Sequence, residues 1–209
     1  MNDTIQQLDG DSENEDHIEW FDGVTSGIDS KRVAAAGILA ALSIAIAPVA
    51  EFIPRIPGWG IALFDPVSII WIIAFLIGGF WIGIVTTLAG TMGLFLYDPT
   101  GIGPFFKIVA TLPMIVIPYL GLKLRRQADS GSNLASPRKY TVLMLVALLV
   151  RLSLMVPLNI IIVPLFFDWG IEQIVQYTVI LNVLQSLWDA LVPYLVVYPT
   201  GLYRHYGMW

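Results

Sequence analysis

The chain has 209 residues, of which 56% are apolar, 13% are charged and none is cysteine. A soluble globular domain carries about 25% charged residues, so this composition predicts an integral membrane protein built from α-helices. The lack of cysteine excludes a disulfide framework and thiol catalysis. The two histidines are isolated in the sequence and form no zinc-ligand pattern, so we expect no metal and no cofactor.

Negative charge is concentrated at the start of the chain. Nine of the sixteen acidic residues lie within residues 1–30, and every Lys and Arg follows them. This segment has no sustained hydrophobic period, which predicts a disordered acidic tail. It also lacks the basic residues that precede the apolar run of a secretory signal peptide. We therefore expect the membrane domain to occupy residues 31–209.

Long apolar runs fill the rest of the chain, and a helix needs about 20 residues to cross a bilayer. Residues 66–97 contain no charge, and they are too long for one crossing and slightly short for two. Gly78, Gly79 and Gly83 near their middle offer a turn. We predict an all-α membrane protein with six transmembrane helices, near 33–53, 64–79, 81–97, 104–122, 140–164 and 172–200.

The basic residues indicate the orientation, because Lys and Arg concentrate in short cytoplasmic loops. Five of them lie in the linker 123–139, two precede the first helix at Lys31 and Arg32, and Arg204 is near the C-terminus. Six crossings place all of these on one side of the membrane. We therefore expect both termini to be cytoplasmic in a multi-pass protein of the cell membrane.

Small residues recur every four positions along the first helix. Ala36 and Ala40 form one row, and Gly37, Ala41 and Ala45 form the next. In lipid, such residues let two helices approach closely. The pattern predicts an interface with a partner protein, the alternative being packing within the same bundle.

The last predicted helix carries four polar residues at offsets of 4, 3 and 4, which places them on one stripe: Thr178, Asn182, Gln185 and Asp189. Polar groups inside a membrane usually face a bundle interior or a cavity. Arg151 in the preceding helix lies at the depth of Asp189, so we predict a buried, structural ion pair between them. We assign Asn159, Asn182 and Gln185 to a ligand site.

Two loop-proximal residues are further candidates for that site. Trp59 lies between two glycines in a turn-rich segment and is suited either to cover a planar ligand or to anchor the membrane interface. Lys107 lies in the first turn of a predicted helix, where the helix dipole disfavours a cation. A ligand carboxylate or phosphate, Asp98, or lipid headgroups are the candidate partners of Lys107. Asp65 before Pro66 has the pattern of a helix N-cap.

The chain lacks the sequence signatures of hydrolases and nucleotide-binding loops. It contains no H-E-x-x-H, no G-x-S-x-G and no G-x-x-x-x-G-K-[ST]. We therefore do not expect an enzyme, and we expect no nucleotide hydrolysis in this chain and no nucleic-acid partner.

Several short motifs resemble those of the substrate-binding S components of energy-coupling factor (ECF) transporters. They are the small-residue first helix, Leu63-Phe-Asp-Pro66, Gly78-Gly-Phe-Trp-Ile-Gly83 and Gly103-Pro-Phe-Phe-Lys-Ile-Val-Ala-Thr-Leu-Pro113. The likeness covers about residues 31–205. It implies a six-helix subunit that binds a small vitamin and joins a transmembrane coupling subunit and two cytoplasmic ATPase subunits. It also implies that the small residues of the first helix meet the coupling subunit.

The riboflavin-binding members are the most similar in general pattern. Their last helix often presents an Asn and, three residues later, a Lys, whereas this chain has Asn182 and Gln185. A small, partly aromatic vitamin is the expected ligand, with another vitamin, a vitamin precursor or a modified base open. Two other classes remain: a membrane enzyme or lipid-handling protein built on Arg151, Asn182 and Asp189, and a transporter that works alone.

Overall fold

A computed structural model describes residues 30–54, 64–128, 131–206 and 209. The predicted acidic tail, apart from Ser30, and Trp59 lie outside the described residues. The described part of the chain is helical and contains no β-strand. Its helices are α1 (Ser30–Ile46), α2 (Pro66–Leu94), α3 (Ile102–Leu124), α4 (Pro137–Ile162), α5 (Ile171–Val197) and the short α6 (Leu202–Tyr206).

Five helical segments are long and apolar enough to cross a membrane, namely α2, α3, α5, and α1 and α4 with their 3₁₀ extensions. The charges of these segments are few, and most of the outward-facing side chains of α4 and α5 are large and apolar. The chain is therefore an integral membrane protein that crosses the bilayer several times.

The long apolar run 66–97 folds as a hairpin of two helices. Gly79 has φ 80° and ψ −173°, a conformation that is essentially restricted to glycine, and it divides α2 into α2a (66–78) and α2b (80–94). A Cβ placed on Gly83 would lie 2.7 Å from the Cβ of Phe75, and one placed on Gly90 would meet Trp71. In a straight helix Trp71 and Gly90 would be about 28 Å apart. The prediction that the run 66–97 forms two helices with a turn at its glycines is therefore confirmed.

α2a is the central helix of the bundle. The side chains of Val67, Trp71, Ile72 and Phe75 have no solvent-accessible surface. Because helices that are apolar on every side are buried, the continuous hydrophobicity of this segment reflects burial in protein and not contact with lipid.

One row of small residues on α1 packs inside the bundle. Ala36 and Ala40 are 3% and 4% exposed, and the backbone oxygen of Ala36 accepts a 3.4 Å hydrogen bond from Thr86 of α2b. The assignment of these two alanines to a partner interface is corrected, because α2b already covers them. Gly37, Ala41 and Ala45 are exposed, and we call these three residues the outer ridge.

Contacts between the helix ends join the start of α1, the α2 hairpin, the segment before α4 and the end of the chain. The indole of Trp209 donates to Leu76 O at 2.9 Å and packs beside Gly79. Arg32 at the start of α1 donates to Trp209 O at 3.4 Å, and a Cβ placed on Gly131 would meet the same indole. These contacts show that all four regions lie at the same end of the bundle.

Eight basic residues are found at this end, which we call the basic end: Lys31, Arg32, Lys123, Arg125, Arg126, Arg138, Lys139 and Arg204. The opposite end, which we call the loop end, contains the α2–α3 and α4–α5 connections. The grouping of charges that the sequence predicts therefore exists in the folded chain.

Candidate ligand-binding site

A cavity of about 320 Å³ lies in the loop-end half of the bundle, among α3, α4, α5 and the N-terminus of α2a. Small-molecule sites in proteins usually occupy about 300–1,000 Å³. Lys107, Asn159, Asn182 and Gln185, which three different helices contribute, all line this cavity. The structure thus brings together four of the five residues that the sequence assigned to a ligand site.

Arg151 of α4 is the centre of the polar wall. Its Nε donates to Asn182 Oδ1 at 2.7 Å, one Nη to Asp189 Oδ2 at 2.8 Å, and the other Nη to Gln185 Oε1 at 3.0 Å. The Arg151 and Asp189 side chains are 2% and 1% exposed. A buried guanidinium requires several acceptors, and the polar stripe of α5 supplies three.

The predicted buried ion pair between Arg151 and Asp189 is therefore present, but it adjoins the candidate ligand site and is not separate from it. Arg151 itself lines the cavity, and it holds the amide oxygens of Asn182 and Gln185 that were assigned to a ligand. Asn182 also donates from Nδ2 to Thr178 O at 2.8 Å. Its amide therefore serves mainly to position Arg151.

Lys107 forms an ion pair with Asp65, and not with Asp98, the candidate partner that lies nearest to it in sequence. Its Nζ lies 2.9 Å from Asp65 Oδ1 and 2.8 Å from Oδ2. Asp65 is also the N-cap of α2a, because Oδ1 accepts the backbone N–H of Val67 at 3.1 Å. One carboxylate thus caps α2a and neutralises the cation that opposes the dipole of α3.

Asp98 has a different function in the α2–α3 loop. It accepts hydrogen bonds from the hydroxyl and N–H of Thr100 and, at 2.8 Å, from the N–H of Gly103. The Thr100 hydroxyl and these N–H groups lower the pKa of the Asp98 carboxyl. Asp98 therefore fixes the start of α3, and its oxygens are occupied within the loop.

Ser68 adjoins both ion pairs. Its Oγ lies 2.6 Å from Asp189 Oδ1 and 3.1 Å from Asp65 O. Ser68 thus lies between the two ion pairs, in contact with the Asp189 carboxylate on one side and with the backbone oxygen of Asp65 on the other. This position of Ser68 could not be predicted from the sequence, because a serine one turn into an apolar helix is ordinary.

Aromatic side chains form the outer part of the cavity: Phe106, Phe167, Trp169 and Tyr177. The ring centroids of Phe167 and Trp169 are 5.4 Å apart, and those of Trp169 and Tyr177 are 5.2 Å apart. Sequence reasoning missed these residues, although the Phe166-Phe-Asp-Trp169 segment after Pro164 is a cluster of aromatic residues at a predicted loop. Such rings suit contact with a planar ligand.

Several hydrogen-bonding groups of the polar wall are unused within the described part of the chain. Gln185 Nε2 donates to no other described residue, and Arg151 uses three of its five N–H groups. The polar wall therefore has hydrogen-bond donors to spare, and aromatic rings form the outer part of the cavity, which we call its mouth.

Neither models of known protein families nor curated proteins give a match to this chain. The structure defines the class as a polytopic α-helical membrane protein with an internal polar cavity at one end.

Proposed function

We propose that the chain is the substrate-capture subunit of an ECF-type vitamin importer, which binds a small, partly aromatic vitamin from the outer side of the cell membrane. The observation that carries the proposal is the cavity itself. It combines a polar wall of hydrogen-bond donors with an aromatic mouth, and it lies at the end of the bundle opposite the basic residues.

The orientation follows from charge. Because short cytoplasmic loops are enriched in Lys and Arg, the basic end is proposed to face the cytoplasm and the loop end the outside. The cavity would then receive its ligand from the outer side. Trp59 lies in the sequence that connects α1 and α2a. Its role in covering the ligand stays a prediction.

The polar groups of the cavity are better suited to binding a ligand than to catalysing a reaction. Both carboxylates, Asp65 and Asp189, are engaged by cations, and Lys107 and Arg151 are engaged in return. Carboxylate oxygens that already contact cations and other donors have few free positions at which to accept a proton from a ligand. We therefore propose that the chain does not transform its ligand and that ATP is hydrolysed by two separate cytoplasmic subunits.

The outer ridge is the proposed contact with a transmembrane coupling subunit. Gly37, Ala41 and Ala45 are exposed at four-residue spacing, and no atom lies within 4 Å of a Cβ placed on Gly37. A second helix can approach such a ridge closely. The remaining outward faces of the bundle contact lipid.

Mass spectrometry of small molecules retained by the purified chain in detergent tests the capture function. We expect one heterocyclic vitamin or precursor, with riboflavin the first candidate, and we expect Gln185→Ala to reduce the retained amount. Gln173→Ala is the matched control, because Gln173 is exposed on the same helix and does not line the cavity.

The proposal is contradicted if the purified chain retains no heterocycle and also binds none that is added.

Copurification from the native membrane tests the assembly. A coupling subunit and ATPases should accompany the chain, whereas transport activity of the chain alone in proteoliposomes would favour a transporter that needs no partner.

A further inference from the structure

Charge cancels among the side chains that line the cavity or pair with a lining residue. The described side chains of the site contribute two cations, Lys107 and Arg151, and two anions, Asp65 and Asp189. Each cation is in direct contact with one anion. An uncompensated charge in a membrane interior is expensive, so a ligand that brings a net charge into this cavity disturbs a neutral arrangement.

The two pairs are not equally fixed. Arg151 and Asp189 are almost fully buried and are held by Asn182, Gln185 and Ser68. The Lys107 and Asp65 side chains are 24% and 10% exposed, and both line the cavity. An anionic group on a ligand would therefore have to compete with Asp65 for Lys107.

Asp65 is placed to bind Lys107 more tightly than an anionic group of a ligand would. It contacts the ammonium through both oxygens, and the Val67 N–H holds it in position at the helix N-terminus. Asp65 is thus fixed before any ligand arrives, whereas a ligand phosphate or carboxylate would lose hydration and translational freedom to replace it. Lys107, which the sequence assigned to an acidic ligand substituent, is already neutralised.

We infer that Asp65 is a specificity-determining residue that reserves Lys107 and restricts the cavity to ligands without net charge. The inference rests on the proposed function, because it concerns the ligand of the same cavity. It predicts that removal of the Asp65 charge converts Lys107 into a receptor for a carboxylate or phosphate.

Matched ligand pairs measure this selectivity. Riboflavin and flavin mononucleotide differ by one phosphate, and nicotinamide and nicotinate have nearly the same size but differ by one negative charge. Binding is measured by calorimetry with the full chain in lipid nanodiscs. For each pair that binds, wild type should prefer the neutral member.

Asp65→Asn is the informative variant, because Asn has a similar shape and is also a good N-cap. It should shift the ratio of affinities toward the anionic member by about ten- to a hundredfold, the range expected for a hydrogen bond to a charged group. Asp65→Asn combined with Lys107→Gln removes both charges, and it should restore the preference for the neutral member.

Glu172→Gln is the control for general electrostatics. Glu172 lies at the loop end in the first turn of α5 and does not line the cavity, so its removal should leave the ratio unchanged. An unchanged ratio in Asp65→Asn, or wild-type preference for the anionic member, overturns the inference while leaving capture of the ligand intact. If wild type binds no member of either pair, the inference is overturned, whereas the capture function is decided separately by mass spectrometry of the retained small molecules.

Discussion

Ser68 Oγ lies 2.6 Å from Asp189 Oδ1, and because it also lies 3.1 Å from the backbone oxygen of Asp65, one hydroxyl adjoins both ion pairs. A side chain that carries no charge thus lies between the ion pair of Lys107 and that of Arg151. All four long elements around the cavity contribute to these contacts, so the side chains that make them are expected to respond together when any of them is changed.

Loss of the Ser68 hydroxyl should weaken the bundle. We expect Ser68→Ala to lower stability by about 1 to 3 kcal/mol, because Asp189 loses a buried donor. The midpoint of thermal unfolding in detergent measures the effect. Ser153→Ala is the matched control, since its hydroxyl binds only carbonyls of its own helix on an exposed face. Equal midpoints for the two variants would contradict the structural importance of the Ser68 contact.

Arg151 and Asp189 should be more damaging to change singly than together. Arg151→Leu or Asp189→Leu leaves one unpaired charge in the bundle interior, at a cost of about 3 to 5 kcal/mol. The double change removes both charges. We expect it to give more folded protein than either single variant in size-exclusion chromatography. A double variant that folds worst of the three would show that the pair is not the main source of the effect.

Gly79 should tolerate no side chain. Its φ of 80° with ψ of −173° is strained for any other residue, so Gly79→Ala should cost about 1 to 3 kcal/mol. Gly37→Ala is the control, because a Cβ at Gly37 meets no atom and alanine favours a helix. The comparison uses thermal unfolding of both purified variants, and similar midpoints would mean that the hairpin does not depend on this backbone conformation.

The outer ridge should matter for transport and not for ligand binding. Ala41→Trp adds volume on an exposed face, so the isolated chain should fold and bind ligand while uptake in cells is abolished. Ile38→Trp is the control, because Ile38 is large and 68% exposed beside the ridge. Ala40→Trp, by contrast, should unfold the chain because Ala40 is covered by α2b. Normal uptake by Ala41→Trp would remove this face from the coupling interface.

Gln185 and Asn182 should differ as ligand contacts. Gln185→Ala removes an unused donor together with one part-buried acceptor of Arg151, so it should weaken ligand binding about five- to a hundredfold and lower stability less than loss of the buried Asn182 does. Asn182→Ala removes a buried support of Arg151 and should lower both affinity and the unfolding midpoint. Calorimetry together with thermal unfolding separates the two effects. Unchanged affinity in both variants would place the ligand elsewhere.

Much of the architecture was predictable from the sequence. The length of the uncharged run 66–97 and its glycines indicated a hairpin, and the distribution of Lys and Arg indicated which connections share an end. The spacing of Asn182, Gln185 and Asp189 placed them on one helix face because helical geometry leaves no alternative.

The partners of individual side chains were harder to predict. Lys107 is only nine residues from Asp98 but binds Asp65, because the carboxylate of Asp98 is occupied by N–H groups of its own loop. On α1 the repeat of small residues gave two adjacent rows, and only the position of α2b decides that Ala36 and Ala40 are covered. The role of Trp209 left no signal, since the short segment that carries it has no hydrophobic period from which a packing partner could be predicted.

The separation of Arg151 and Asp189 along the chain has a consequence for biosynthesis. The two residues are 38 positions apart, so at about 5 to 20 residues per second the ribosome completes Asp189 roughly 2 to 8 s after Arg151. Throughout that interval α4 carries a cation whose three acceptors on α5 do not yet exist. Stable insertion of α4 must therefore wait for α5, and the two helices are expected to enter the bilayer as a pair.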